Sequence, residues 1–431
     1  MAGAEHTSSY YAATARHTDG FASLASDVDV DVAIIGGGFT GVATALELAE
    51  RGLRVALCEA NRIGWGATGR NGGQITGSLS GDVAMEREFR RTLGDGADDF
   101  VWKLRWRGHD IIKNRVQKYG IECDLRHGHL QTALTKGHLS ELQGIYERGC
   151  EGGMAEYVEM IPEERIGDYL ETEIYIGGLL NRYNMHVHSL DLCVGEALAA
   201  QSLGAQIYEN TRVLNIVHGP RPKVVTEGGT ITADKVVMAG NAYHLLEQKD
   251  LKGKLFPASL ANMATEPLGA DVAAAINPQN LAVYDGRFVL DYYRLTADNR
   301  LMFGGGTNYS GRDSQDIAAE LRPALEHTFP RLKGVGIDYS WAGMDGIILN
   351  RIPQVGRLND NVFYVQGYSG HGIALSHILA ELTAQEVASG DSEFAVFENV
   401  RHWNLPVGRS MGSLMIAVGM AYYRLRDKLT G

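Results

Sequence analysis

The chain has 431 residues, a formal net charge of −12 and a hydrophobic fraction of 45%, and that length predicts two or three domain-sized cores. The acidic balance argues against non-specific binding to nucleic acid, which needs a basic face to neutralise phosphates. The four cysteines, Cys58, Cys123, Cys150 and Cys193, form no CxxC pair, so neither a metal site nor a redox dithiol is expected, and scattered thiols suit a reducing compartment.

Residues 1–27 read as an N-terminal arm. The opening MAGAEHTSSYYAATARHTDG has no basic n-region and no apolar h-region, so it is not expected to be a secretory signal. No run of about 18 apolar residues predicts a spanning helix, and a cytoplasmic protein is expected.

From Val30, VDVAIIGG is a short Val- and Ile-rich run that ends in glycines, the pattern of a buried parallel strand. The segment Gly41–Gly52 follows with Val42, Leu46 and Ala49 at helical spacing, and Leu53–Ala60 is a second apolar strand. Gly36, Gly38 and Gly41 give G-x-G-x-x-G within this βαβ unit. The first glycine permits the tight turn, the second lets the backbone approach a pyrophosphate, and the third lets helix and strand pack closely. Phe39 and Thr40 then open a helix whose N-terminus favours phosphate. Glu59 ends the second strand about where a ribose-binding acid is expected. Dinucleotide binding follows, without a choice between FAD and NAD.

The next stretch, RIGWGATGRNGGQI from Arg62 to Ile75, is too glycine-rich for a helix and too polar for a strand. Arg70, Asn71 and Gln74 among its glycines suit a backbone laid against a flat polar ligand. Further on, Gly204–Ile216 reads as strand, turn, strand, Ala233–Tyr243 as a buried strand ending in Ala-Gly-Asn, and Val362–Gly390 as strand, glycine turn and long helix. The intervening stretches near 120–135, 287–306 and 335–347 read as strands, with a hairpin turning at Ala297–Asn299.

With SYYAATA near the N-terminus, GWGATGRNGGQ and the late GYSGHGIALS, the sequence resembles the D-amino-acid-oxidase-type family of FAD-dependent amine oxidoreductases, and within it the γ-glutamylputrescine-oxidising branch. The resemblance runs from about Ser9 to Leu429. It implies an α/β fold: a Rossmann-like, glutathione-reductase-type FAD-binding domain formed by 28–85, 186–250 and 335–407. Into it an α+β substrate domain, 86–185 and 251–334, is inserted on an antiparallel sheet. It implies FAD contacts at Gly36, Gly38, Phe39, Thr40, Gly41, Glu59, Ala60, Arg62, Gly66, Ala67, Thr68, Arg70, Asn71, Gly72, Gly73, Gln74, Val213, Gly240, Gly370, His371, Gly372 and Ile373. Backbone N–H groups near Gly370–Ile373 and the helix dipole would stabilise negative charge on reduced flavin. Relatives with covalent flavin use a histidine after the second strand or a late cysteine. Residues 60–75 hold neither residue, and no cysteine follows Cys193, so non-covalent FAD is expected.

The implied reaction moves a hydride from the carbon beside an amine to flavin N5, leaving an imine that hydrolyses. The chemistry is flavin-centred and no side chain is singled out as catalyst. The pocket candidates are Tyr292, Arg294, Trp341, Tyr368 and His371. Tyr292 and Arg294 share one face of a strand by alternation, and Arg294 could clamp a carboxylate. The substrate read from this is a γ-glutamylated or free aliphatic amine. The alternatives are a D-amino-acid or N-methyl-amino-acid dehydrogenase, or an FAD-binding subunit without catalysis. Two departures from the family pattern stand out: Asn350 replaces an aspartate, and no lysine occurs between Lys254 and Lys333 to assist oxygen. Oxygen, a quinone and a carrier protein all stay open as acceptor. The tail 408–431 carries an apolar stretch followed by Arg424, Arg426 and Lys428. It reads as an amphipathic helix, either packed on the FAD-binding domain or lying peripherally on the inner face of a membrane.

The missing attachment residues make a direct expectation. Acid precipitation of the yellow protein should release all of its flavin to the supernatant. Flavin retained in the pellet would refute a non-covalent site.

Overall fold

Alternation along Val28–Ile35 sorts its side chains onto two faces. Val32 and Ile34 enter a core shared with Val42, Leu46, Leu190 and Leu379, whereas Ala33 and Ile35 enter a second core with Ile216, Val224 and Ile231, which Val30 joins out of alternation. Buried on both sides, this strand is the centre of the first sheet. The computed structural model describes residues 4–251, 253–287, 289–308, 314–390 and 392–403. The C-terminal helix expected over 408–431 lies outside the described residues.

In the first sheet Val28–Ile35 pairs in parallel with Val55–Cys58 on one side and Thr230–Met238 on the other. Val362–Gln366 and Gln206–Tyr208 extend it in parallel, and Gln354–Asn359 closes one edge antiparallel. The hairpin of Val213–Val217 and Lys223–Thr226 joins through Thr230–Met238. The helices Phe39–Glu50, Ser189–Ser202, Gly372–Ser389 and Ala97–Tyr119 pack against one another.

Among the described residues the second sheet has nine strands. Its path runs Ile337–Ile347, Phe256–Thr265, Leu301–Asn308, Tyr292–Leu295, Ala282–Asp285, Arg126–Ala133, Gly177–His186 and Gln74–Ile75, with Val158–Pro162 beside Gly177–His186. All its pairs are antiparallel except Ala282–Asp285 with Arg126–Ala133. The hairpin read over 287–306 forms between Tyr292–Leu295 and Leu301–Asn308, and Asn299 takes a left-handed φ of 60° in its turn.

Two segments sit elsewhere than the expected division places them. Ile337–Ile347, grouped with the FAD-binding part, pairs along its length with Phe256–Thr265. Strand periodicity reports that a segment is a strand, not which sheet receives it. Ala97–Tyr119, grouped with the substrate part, buries Val101, Leu104 and Ile112 in the same core as Leu46 and Leu379. An amphipathic face likewise does not name its partner.

The N-terminal arm is strapped across the molecule. Tyr10 Oη donates to Asp298 Oδ1 at 2.9 Å, Tyr11 Oη reaches Met302 Sδ at 3.7 Å, and Arg16 pairs with Asp124 and Asp191. Ala4 N donates to Asn61 Oδ1 at 2.9 Å, and Trp65 Nε1 donates to the Glu5 carbonyl at 2.8 Å.

The packed helices share one buried ionic network. Arg115 donates to Glu196 at 2.9 Å and to Glu47 at 2.7 Å, and His377 Nε2 lies 3.1 Å from both Glu196 oxygens. Burial alone would raise the Glu196 pKa, but His377 and Arg115 overcome it and hold the carboxyl at about 2. A depressed folded pKa contributes stability that is present above the ordinary value of 4.5 and is lost as the pH falls toward 2. Glu196→Gln should therefore flatten the acid limb of a urea-stability profile between those two values. Arg115→Met should cost about 3–5 kcal/mol, because Glu196 and Glu47 stay buried without the guanidinium between them, with only His377 and Arg51 left as partners. A wild-type stability unchanged across that pH window would remove the linkage.

Candidate active site

A cavity of about 830 Å³ opens at the carboxyl ends of Val28–Ile35, Val55–Cys58 and Thr230–Met238 and is bordered on its other side by residues of the second sheet. In open α/β sheets ligands bind at such strand ends. The glycine turn shapes one wall. Gly36 has φ 110°, and a Cβ there would stand 2.8 Å from the Ala239 carbonyl oxygen. A Cβ on Gly41 would stand only 1.9 Å from the Gly36 carbonyl oxygen, so any larger residue would push the helix off the turn. No side chain caps the helix Phe39–Glu50 at Gly38, and Gly38, Phe39 and Thr40 all border the cavity.

Glu59 stands at the end of Val55–Cys58. Its two carboxylate oxygens accept from Gly37 N at 2.8 Å and Asn61 N at 2.9 Å. Burial nevertheless raises its pKa, with the neighbouring Glu209 adding to the rise. Beside it burial pushes the Cys58 thiol up to about 12, so it stays protonated.

The segment Arg70–Gln74 is fastened by side chains so that its backbone faces the cavity. Trp341 Nε1 and Asn262 Nδ2 both donate to the Arg70 carbonyl at 3.0 Å. Asn71 Oδ1 accepts from Gly73 N and from Ser189 Oγ, each at 2.7 Å. Gln74 Nε2 donates to Val283 O at 3.0 Å and Tyr293 O at 3.3 Å. The Arg70 guanidinium lies 4.4 Å from the Trp65 ring centre. Tyr292 lies over this segment: its ring stands 2.5 Å from where a Cβ on Gly72 would be and 2.2 Å from one on Gly304.

The last wall is the turn Tyr368–Gly372 and the start of the helix Gly372–Ser389. Tyr368 Oη and Thr40 Oγ1 are 2.5 Å apart, which ties this turn to the glycine turn. Gly370 has φ 97°, and a Cβ added to it would meet nothing within 4 Å, so its backbone faces open space. His371 is held neutral by burial, with its pKa lowered to about 4.

The structure brings together at the cavity Gly36, Gly38, Phe39, Thr40, Glu59, Ala60, Gly66, Ala67, Thr68, the run Arg70–Gln74, Val213, Gly240, the run Gly370–Ile373, Tyr292 and Tyr368. Four expected residues do not border it. Gly41 packs behind the turn. Arg62 turns to Glu209 at 3.2 Å and the Thr18 carbonyl at 2.8 Å. Trp341 is buried beneath Arg70. Arg294, expected as a carboxylate clamp, is 3% exposed and committed to the protein. It donates to Gly72 O at 3.0 Å, Val187 O at 2.9 Å, Leu295 O at 3.2 Å and Tyr11 Oη at 3.1 Å. Alternation placed it on the face of Tyr292, but the arm occupies the space beyond it.

Sequence reasoning missed Asn241, Tyr243 and Asp345, all on the cavity wall. Asn241 Oδ1 accepts from Gly367 N at 2.9 Å, and Tyr243 Oη accepts from Met344 N at 2.8 Å. Asp345 Oδ1 accepts from Gly346 N at 2.8 Å, and burial pushes its carboxyl up to about 6. The available signal was chemical: one acid inside the apolar run WAGMDGII.

These features fit a dinucleotide with a flat ring. One continuous cavity runs from Val213 past the glycine turn to Gly370–Ile373, glycines leave room for close approach at both ends, and an acid stands where a ribose is read.

Residues 31–386 match the family model described as "FAD dependent oxidoreductase". The chain is 41% identical over 429 residues to gamma-glutamylputrescine oxidoreductase of Escherichia coli (strain K12), covering 99% of each. Its fold is similar to L-proline dehydrogenase from P. horikoshii, with a TM-score of 0.73 and 21% identity over 86% of this chain and 97% of that one. It is also similar to glycine oxidase from Geobacillus kaustophilus, with a TM-score of 0.72 and 23% identity over 88% of this chain and 100% of that one.

Replacing Glu59 with Ala should weaken FAD binding roughly tenfold to hundredfold, on the scale of a hydrogen bond to a charged group. Fluorescence titration of the apoprotein with FAD measures this. An unchanged dissociation constant would show that Glu59 serves only Gly37 and Asn61.

Proposed function

We propose a substrate class for this chain, which belongs to the FAD-dependent oxidoreductase family: it oxidises the terminal C–N bond of an aliphatic amine, with a γ-glutamylated diamine such as γ-glutamylputrescine as the preferred substrate. The observation that carries this is the 41% identity to the E. coli gamma-glutamylputrescine oxidoreductase across nearly the whole of both chains.

Bound FAD supplies the two-electron acceptor, which no side chain here provides. In this reading Gly36–Thr40 hold the pyrophosphate, Glu59 the ribose, and the backbone at Val213 the adenine. Arg70–Gln74 and Gly370–Ile373 border the ring. The 18-residue helix Gly372–Ser389 directs its positive end at that region, where negative charge gathers on reduction. Tyr292, Leu260 and Met344 border the same space and exclude water from the reacting carbon.

The electron acceptor is read as oxygen, a quinone or a carrier protein. Among the described residues no helix is long and apolar enough to cross a membrane. All four cysteines are free, which suits a reducing compartment.

Anaerobic mixing with a panel of amines tests the reading. γ-Glutamylputrescine should bleach the flavin fastest, followed by putrescine and cadaverine. Bleaching by D-amino or N-methyl amino acids alone would overturn it. A flavin that no panel member reduces would mark a binding subunit without catalysis.

A further inference from the structure

Most polar side chains that border the cavity are satisfied within the protein. Glu59 accepts two backbone N–H groups, Asn71 and Gln74 are tied to backbone, and Tyr368 is tied to Thr40. Asp345 differs. The residue is 7% exposed, Oδ1 is bonded to Gly346 N, and Oδ2 is buried without a well-formed hydrogen bond among the described residues, although the Gly370 N–H acts on the carboxyl. A buried carboxylate oxygen left in that state is costly and calls for an explanation in a ligand.

Its placement says which part of a ligand it meets. Asp345 pairs with Ala258 across the second sheet, and Gly346 O accepts from Ser369 N at 3.1 Å. The carboxyl is thereby fixed beside the turn Tyr368–Gly372, where the reactive ring is read. Arg351 borders the same cavity, and its charge and the nearby Gly370 N–H favour the ionised form of Asp345. An anionic group there attracts a cation and repels a carboxylate.

We propose that Asp345 receives the ammonium group of the amine substrate and is the residue that selects a cationic amine over an amino-acid carboxylate. This rests on the reading of the site as one for amine oxidation. The partner chemistry is a primary ammonium, which offers three donors to an acceptor-only carboxylate. Charge-assisted hydrogen bonds of this kind are about twice as strong as neutral ones.

The test compares wild-type holoenzyme with Asp345→Asn and Asp345→Glu. FAD content is measured first. Ligand affinity is then read from the flavin absorbance change under anaerobic conditions, with γ-glutamylputrescine and with the γ-glutamyl butyl amide that lacks its terminal nitrogen. Asp345→Asn should weaken the amine roughly 10- to 100-fold, leave the butyl amide, which lacks only the terminal ammonium and keeps the glutamyl α-ammonium and α-carboxylate, unchanged and keep FAD stoichiometric, and Asp345→Glu should recover part of the loss. Equal losses for both ligands, an unchanged amine affinity, or loss of FAD would each overturn the proposal, the last by showing that Oδ2 serves the cofactor. The two readings fail separately. Wild-type flavin bleached by an amine that Asp345→Asn binds as well as wild type leaves the function standing without this residue. Charge-selective binding through Asp345 with flavin that no amine reduces leaves the subsite standing without the function. Wild type that binds neither γ-glutamylputrescine nor putrescine overturns both.

Discussion

The cavity depends on how the backbone at Arg70–Gln74 is suspended between the two sheets. Its carbonyls accept from Trp341 and Asn262 of the second sheet and from Arg294, while Asn71 ties it back to Ser189 at the start of a helix of the first layer. A glycine-rich segment has little side-chain surface of its own to bury, and its conformational freedom makes ordering expensive. Here order is imposed by buried donors on neighbouring strands. Two of the residues read as ligand contacts in a pocket, Trp341 and Arg294, turn out to hold the segment that borders it.

That arrangement also explains what a sequence shows of such a site. The glycine turn is legible because each glycine answers a steric demand within one βαβ unit: Gly36 at Ala239, Gly41 at Gly36. Local geometry of that kind leaves a local signature. Arg294 has the same alternation as Tyr292 and the chemistry of a clamp, but its fate is decided by Tyr11, far away along the chain, and no periodicity records that. Asp345 was readable only as an anomaly, an acid in a run otherwise built for a core.

The two acids of the cavity illustrate how burial alone does not define a role. Glu59 and Asp345 are both pushed upward in pKa by desolvation. Glu59 spends an oxygen on each of two backbone N–H groups and thereby shapes the turn as well as facing the ligand. Asp345 spends one oxygen in this way and keeps the other. The first is a fitting of the fold that also borders the cavity; the second is fastened through one oxygen and leaves the other without a well-formed hydrogen bond among the described residues.

The arm has a consequence for biosynthesis. Ribosomes make the chain from its N-terminus, so Ala4–Arg16 emerges before any surface it docks on. Its anchors are Asn61, Asp191, Asp298 and Met302, and the last two cannot be met until about seven-tenths of the chain has been translated. Contacts of such sequence separation form late because loop closure must precede them. The contacts of Tyr10 with Asp298 and of Tyr11 with Met302 are thus among the last to be fixed, long after Ala4 can reach Asn61.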